Sequence, residues 1–77
     1  MQDLEYLILA LAIENAIKFN GKASKGAVTG KLLSIKPELK KEIKRIETII
    51  EKKIREVNSL TKKQQEEKFE ALKTLIE

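Results

Sequence analysis

Leu4, Leu7, Ile8, Leu11, Ala12, Ala16 and Phe19 recur at helical spacing, while Leu9, Ala10 and Ile13 fill much of the opposite side. A helix apolar nearly all round belongs at the centre of a helical domain. Asp3 and Glu5 favour its positive end and Asn20-Gly21 supplies a stop, so a first helix is expected from Asp3 to Phe19. Ser24 can cap a second, Ser24 to Ser34, with Ala27, Val28, Leu32 and Leu33 as its apolar face. Pro37 suits a first helical turn and opens the longest helix, through Asn58. Its stripe of Leu39, Ile43, Ile46, Ile50, Ile54, Val57 and Leu60 is expected to pack as core against the first and fourth helices. Thr61 and Gln64 read as a capping box for that fourth helix, Lys62 to Ile76, with Gln65, Phe69, Leu72 and Ile76 on one side. Strand-like alternation is absent from the sequence. The expected fold is all-α, a compact bundle of four helices with a basic Gly/Lys-rich turn between the first two.

Charge changes this picture at one place. Between Glu14 and Glu38 there is no acidic residue, yet Lys18, Lys22, Lys25, Lys31 and Lys36 lie there, interleaved with all three glycines. The chain has 16 basic and 12 acidic residues, a net +4; without these five lysines, 11 bases face 12 acids and the net is −1. The positive charge is local. Such a segment suits an anionic polymer, and nucleic-acid phosphate is the usual one. Lysine ammonium groups act as point charges, so binding should tolerate sequence and respond to salt. Gly26 and Gly30 each cost about 1 kcal/mol of helix propensity relative to alanine. Either close packing against the first helix or a bare surface for a sugar or phosphate would account for them.

At 77 residues the chain makes one domain at most. It has neither cysteine nor histidine, which removes thiolate chemistry and the usual general base and metal ligand. No catalytic or metal-binding residue is assigned. The apolar run Tyr6–Ile13 is eight residues long, well short of the ~20 that span a bilayer, and the acidic opening is unlike a secretory signal. A cytoplasmic protein without membrane contact is expected. The three aromatics, Tyr6, Phe19 and Phe69, are expected in the core rather than as platforms for bases.

Asn15-Ala16-Ile17-Lys18-Phe19-Asn20-Gly21-Lys22-Ala23, Gly26-Ala27-Val28-Thr29-Gly30-Lys31-Leu32-Leu33, Pro37-Glu38-Leu39 and Val57-Asn58-Ser59-Leu60 together resemble a known family. They are similar to the N-terminal helical domain of archaeal-type glutamyl-tRNA synthetases, from about Leu4 to Leu72. The Asn-Gly-Lys-Ala turn followed by Ala-Val-x-Gly-Lys is the most specific part. The resemblance implies an appended tRNA-contacting domain of a ligase that joins glutamate to its tRNA. ATP and magnesium would then serve the catalytic domain of the same polypeptide. It implies RNA contacts at Lys18, Asn20, Gly21 and Lys22 on the turn and at Gly26, Gly30 and Lys31 on the second helix; Lys25, within the basic segment, is counted with them. The chain departs from the family pattern at Ser34-Ile35-Lys36, where a more polar, glycine-containing linker is expected.

The catalytic signatures of such enzymes are absent: without histidine there is no His-Ile-Gly-His motif. Lys22-Ala23-Ser24-Lys25-Gly26 mimics the Lys-Met-Ser-Lys-Ser loop, which works only beside a nucleotide-binding sheet. The chain end at Glu77, with no glycine or asparagine to close the helix, reads as a fragment of a longer synthetase, expected to be monomeric. Two alternatives rank lower. A helix-turn-helix would read DNA with Arg, Asn or Gln on its second helix, where this chain has Ala27, Val28, Thr29 and Gly30. A stand-alone protein-interaction module would need the Leu39–Leu60 stripe left free.

Overall fold

The computed structural model describes residues 2–75, of which Gln2, Asp3 and Leu75 are described by their backbone alone. Four α-helices follow one another: α1, Gln2–Lys18; α2, Lys25–Ile35; α3, Ile43–Asn58; and α4, Lys62–Leu72. A 3-10 segment, Pro37–Glu42, leads into α3, and a short one, Lys73–Leu75, follows α4. Among the described residues there is no strand.

The apolar circumference of α1 decides the architecture. Leu4, Leu7 to Ile13 and Ala16 are all buried, which a helix achieves only with neighbours on several sides. Those neighbours are α2, α3 and α4, each packed on α1. From α3 come Ile46, Ile50 and Val57, and from α2 Val28 and Leu32, all essentially without solvent exposure. Phe69 and Leu72 of α4 are half-buried against this cluster.

The structure differs from the sequence expectations at the joints. Pro37–Glu42 winds as a 3-10 helix, and Glu42, with φ −116° and ψ 27°, interrupts the α-helical ladder before Ile43. Leu39 is buried within that tighter segment. The α3 stripe is core as expected, packed chiefly on α1 and also on α2; α4 packs chiefly on α1 and reaches α3 through the Gln65–Val57 hydrogen bond. The α-helical part of α4 ends at Leu72, and Ile76, placed on its apolar side by the sequence, lies outside the described residues. The capping box is present in full: Thr61 Oγ1 accepts from the Gln64 N–H, and Gln64 Oε1 accepts from the Thr61 N–H.

Candidate nucleic-acid interface

The turn joining α1 to α2 is fixed from both ends. At the end of α1, the Gly21 N–H reaches back to the Ala16 carbonyl at 2.7 Å, the long bond of a Schellman motif. Asn20 (φ 59°) and Gly21 (φ 91°) occupy the left-handed region that this motif requires and that asparagine and glycine tolerate best. At the start of α2, Ser24 caps the helix by accepting from the Ala27 N–H.

Three side-chain amides then hold the backbone between those ends. Asn15 Oδ1 accepts from the Ser24 N–H at 2.8 Å, and Asn58 Oδ1 accepts from the Ala23 N–H at 2.8 Å. Asn58 Nδ2 also faces the Ala23 carbonyl at 3.5 Å. Gln65, fully buried, donates through Nε2 to the Gly21 carbonyl at 3.0 Å and to the Val57 carbonyl at 2.9 Å. The Ala23 methyl is buried beneath them. A six-residue link with no regular structure of its own is thereby pinned to α1, α3 and α4. Gln65 belongs to the site through this role, which its place on an apolar helix face did not reveal.

What the clamp leaves outside is basic and bare. Lys18 and Lys22 are exposed and, among the described residues, have no carboxylate within ion-pair distance; the same holds for Lys36. On α2, Val28 and Leu32 point inward; Gly26 and Gly30, each two residues earlier, fall on the opposite face. A Cβ added at either glycine would meet nothing within 4 Å. Close packing against α1 therefore does not account for these glycines, which lie on an open face of α2. The Lys25 and Gly26 N–H groups, in the first turn of α2, have no intrahelical acceptor.

The acid-free stretch is not acid-free in space. Lys25 Nζ lies 2.6 Å from Glu51 and 3.6 Å from Glu47, both on α3. The hydrogen bond to Glu51 raises the Lys25 pKa above its ordinary value, and the same bond lowers that of Glu51. Lys31 approaches Glu14 of α1 at 4.0 Å, a looser pairing. The charges of the candidate lysines therefore differ: among the described residues Lys18 and Lys22 are free, while Lys31 is loosely paired toward α1 and Lys25 is neutralised from α3.

Phe19 corrects an expectation. The helical stripe predicts it as core, yet it is 62% exposed, and Tyr6 is 50% exposed. Phe19 stands at the end of α1, beyond the part of the stripe that neighbouring helices cover, and Ala23 enters the core there instead.

Fold and elbow define a small all-α domain with a clamped, basic turn between its first two helices and an open glycine face on the second. Comparison with known proteins gives the particular relatives. The chain is 44% identical over 69 residues to the glutamate–tRNA ligase of Methanocaldococcus jannaschii, covering 90% of this chain and 12% of that protein. It is 41% identical over 70 residues to that of Pyrococcus furiosus, 91% of this chain and 12% of the relative. With the Pyrococcus horikoshii enzyme it shares 46% over 67 residues, again 12% of the relative. The chain is homologous to one segment of the archaeal glutamate–tRNA ligases, as the resemblance implied. It spans about one-eighth the length of these relatives. No protein-family profile and no solved structure matches it.

Proposed function

We propose that this chain is the tRNA-contacting domain of a glutamate–tRNA ligase and that its elbow grips RNA phosphates. The observation that carries this is the pairing of a clamped backbone with exposed lysines: Lys18 ends α1, Lys22 lies on the turn fixed by three amides, and the helix that follows leaves Gly26 and Gly30 on an open face. A fixed backbone loses little entropy when it binds, and an absent side chain lets phosphate or ribose approach the helix closely. Asn20, Gly21 and Lys31 complete the contact surface. Lys25 joins it only by exchanging Glu51 for phosphate.

In this proposal the rest of the polypeptide attaches glutamate to tRNA, using ATP and magnesium in its catalytic domain. Among the described residues no three His, Cys, Asp or Glu side chains converge as a metal site would need. Among the described residues, too, no helix is long and apolar enough to cross a membrane. The buried α3 stripe speaks against a docking face for a partner helix. The outward face of α2, with two glycines, offers little with which to read a DNA groove.

The test is titration of the chain with a glutamate-tRNA transcript at low ionic strength, followed by amide shifts and repeated with Lys22→Glu and Lys31→Glu. Shifts confined to Asn20 through Leu32, weaker binding by both variants and a shallower salt dependence are expected. With Lys18, Lys22 and Lys31 as the phosphate contacts, log K falls against log salt with a slope of about −2 on single strands. Unmoved amide signals in that segment would overturn the proposal.

A further inference from the structure

Phe19 is the most exposed large apolar side chain among the described residues, and it stands on the elbow. Its chain neighbours there are Lys18, Asn20 and Lys22, with Lys18 and Lys22 free of ion pairs among the described residues. A ring 62% open to water loses most of the burial that would justify an aromatic at that position. Its backbone is firmly held. Phe19 lies inside the Schellman turn, its N–H bonded to the Asn15 and Ala16 carbonyls at 3.1 Å and its own carbonyl accepting from Lys22 at 3.3 Å. It stands one helical turn beyond Asn15, whose amide holds the start of α2.

An exposed aromatic ring on a held backbone, with free cations on either side of it along the chain, suits an unpaired base: the cations hold the flanking phosphates and the ring stacks the base. We infer that Phe19 stacks one unstacked nucleobase, so that the elbow binds a loop or single-stranded part of RNA in preference to a continuous duplex. This rests on the RNA-binding proposal above and adds to it the class of RNA element and the side chain that selects it. Specificity for a particular base is not required, since every base has a π-face.

The chain contains no tryptophan, so Phe19→Trp places a single fluorescent reporter at the stacking position. Its emission should be quenched by a glutamate-tRNA transcript and by oligouridylate, and much less by a blunt RNA duplex. Phe19→Ala should weaken binding of the transcript roughly 5- to 150-fold. Phe19→Leu should behave like Phe19→Ala, and neither should change the salt slope, because no phosphate contact is lost. Lys22→Glu is the control that separates the two ideas. If Lys22→Glu weakens binding but Phe19→Ala does not, the RNA proposal stands and stacking is overturned. If neither variant binds differently from the parent chain, the RNA proposal itself fails. If Phe19→Ala spares RNA affinity but loosens the domain from the remainder of a ligase polypeptide, the ring is a protein contact and stacking is likewise overturned. Thermal melts of all variants establish that the fold is intact, as expected for a side chain this exposed.

Discussion

The Gln65 amide nitrogen lies 3.0 Å from the carbonyl of Gly21, 44 positions earlier in the chain, and joins the fourth helix to the basic elbow. The same nitrogen donates to Val57 at 2.9 Å, so one buried side chain locks three parts of the fold together. Its oxygen, also buried, has no partner among the described residues, which makes the amide a donor here and little else. Gln65→Met keeps the volume but takes its donor from the Gly21 carbonyl and leaves the Val57 carbonyl to the Leu60 N–H. A loss of about 1–3 kcal/mol in urea unfolding is expected. Gln65→Glu should be worse at neutral pH, because a carboxylate would face two carbonyls. Burial and those carbonyls would raise the introduced carboxyl's pKa in the folded state, so the deficit should shrink as pH falls and the group regains a proton to donate.

Asn58 holds the elbow at Ala23 with its oxygen at 2.8 Å from the N–H. Asn58→Ala should speed hydrogen exchange at the Ala23 amide and cost roughly 1 kcal/mol of global stability. Asn15→Ala should do the same at Ser24. Unchanged exchange at both amides would mean that the elbow does not depend on these clamps.

Gly26 and Gly30 separate stability from function. Both are helical, with open space where a Cβ would go. Alanine at either position should therefore stabilise the domain by about 0.5–1 kcal/mol in thermal or urea unfolding. If the bare face admits the RNA backbone, the same variants should bind tRNA more weakly despite their greater stability. Gly21→Ala, by contrast, should destabilise, because φ is 91° at that position.

Lys25 is screened from RNA by its own fold. The Glu47→Gln, Glu51→Gln double variant removes both carboxylates from its ammonium. Tighter tRNA binding and a salt slope steeper by about 0.7 are expected, the equivalent of one more single-strand phosphate contact. pH should act in the same direction. The Glu51 pKa lies below its ordinary 4.5, so the stabilising contribution of the pair is present above that value and fades as pH falls through the lowered folded one. The Lys25 pKa lies above 10.5, so on the alkaline side the contribution persists until pH rises through that raised value. Across neutral pH the pair is intact, and the variant rather than a buffer change is the practical way to free Lys25. Backbone and side-chain shifts of Lys25 on RNA addition, larger in the variant, would report it.

The sequence by itself determined the four helices, the central place of α1, the capping box at Thr61 and Gln64, and the Asn20-Gly21 stop. Each is written within one or two turns of chain, where spacing and the conformational limits of a few residues suffice. It also carried the resemblance to the glutamyl-tRNA synthetases and the local excess of lysine. Only the tertiary structure decided which of those lysines are free, because Glu51 meets Lys25 from 26 positions away. The same holds for the outward turn of the Gly26–Gly30 face, the exposure of Phe19, and the clamping of one elbow by Asn15, Asn58 and Gln65. These are encounters between helices, and no periodicity within a helix specifies what another brings across to it. A charge counted along the chain becomes a charge available to a ligand only after the helices have packed.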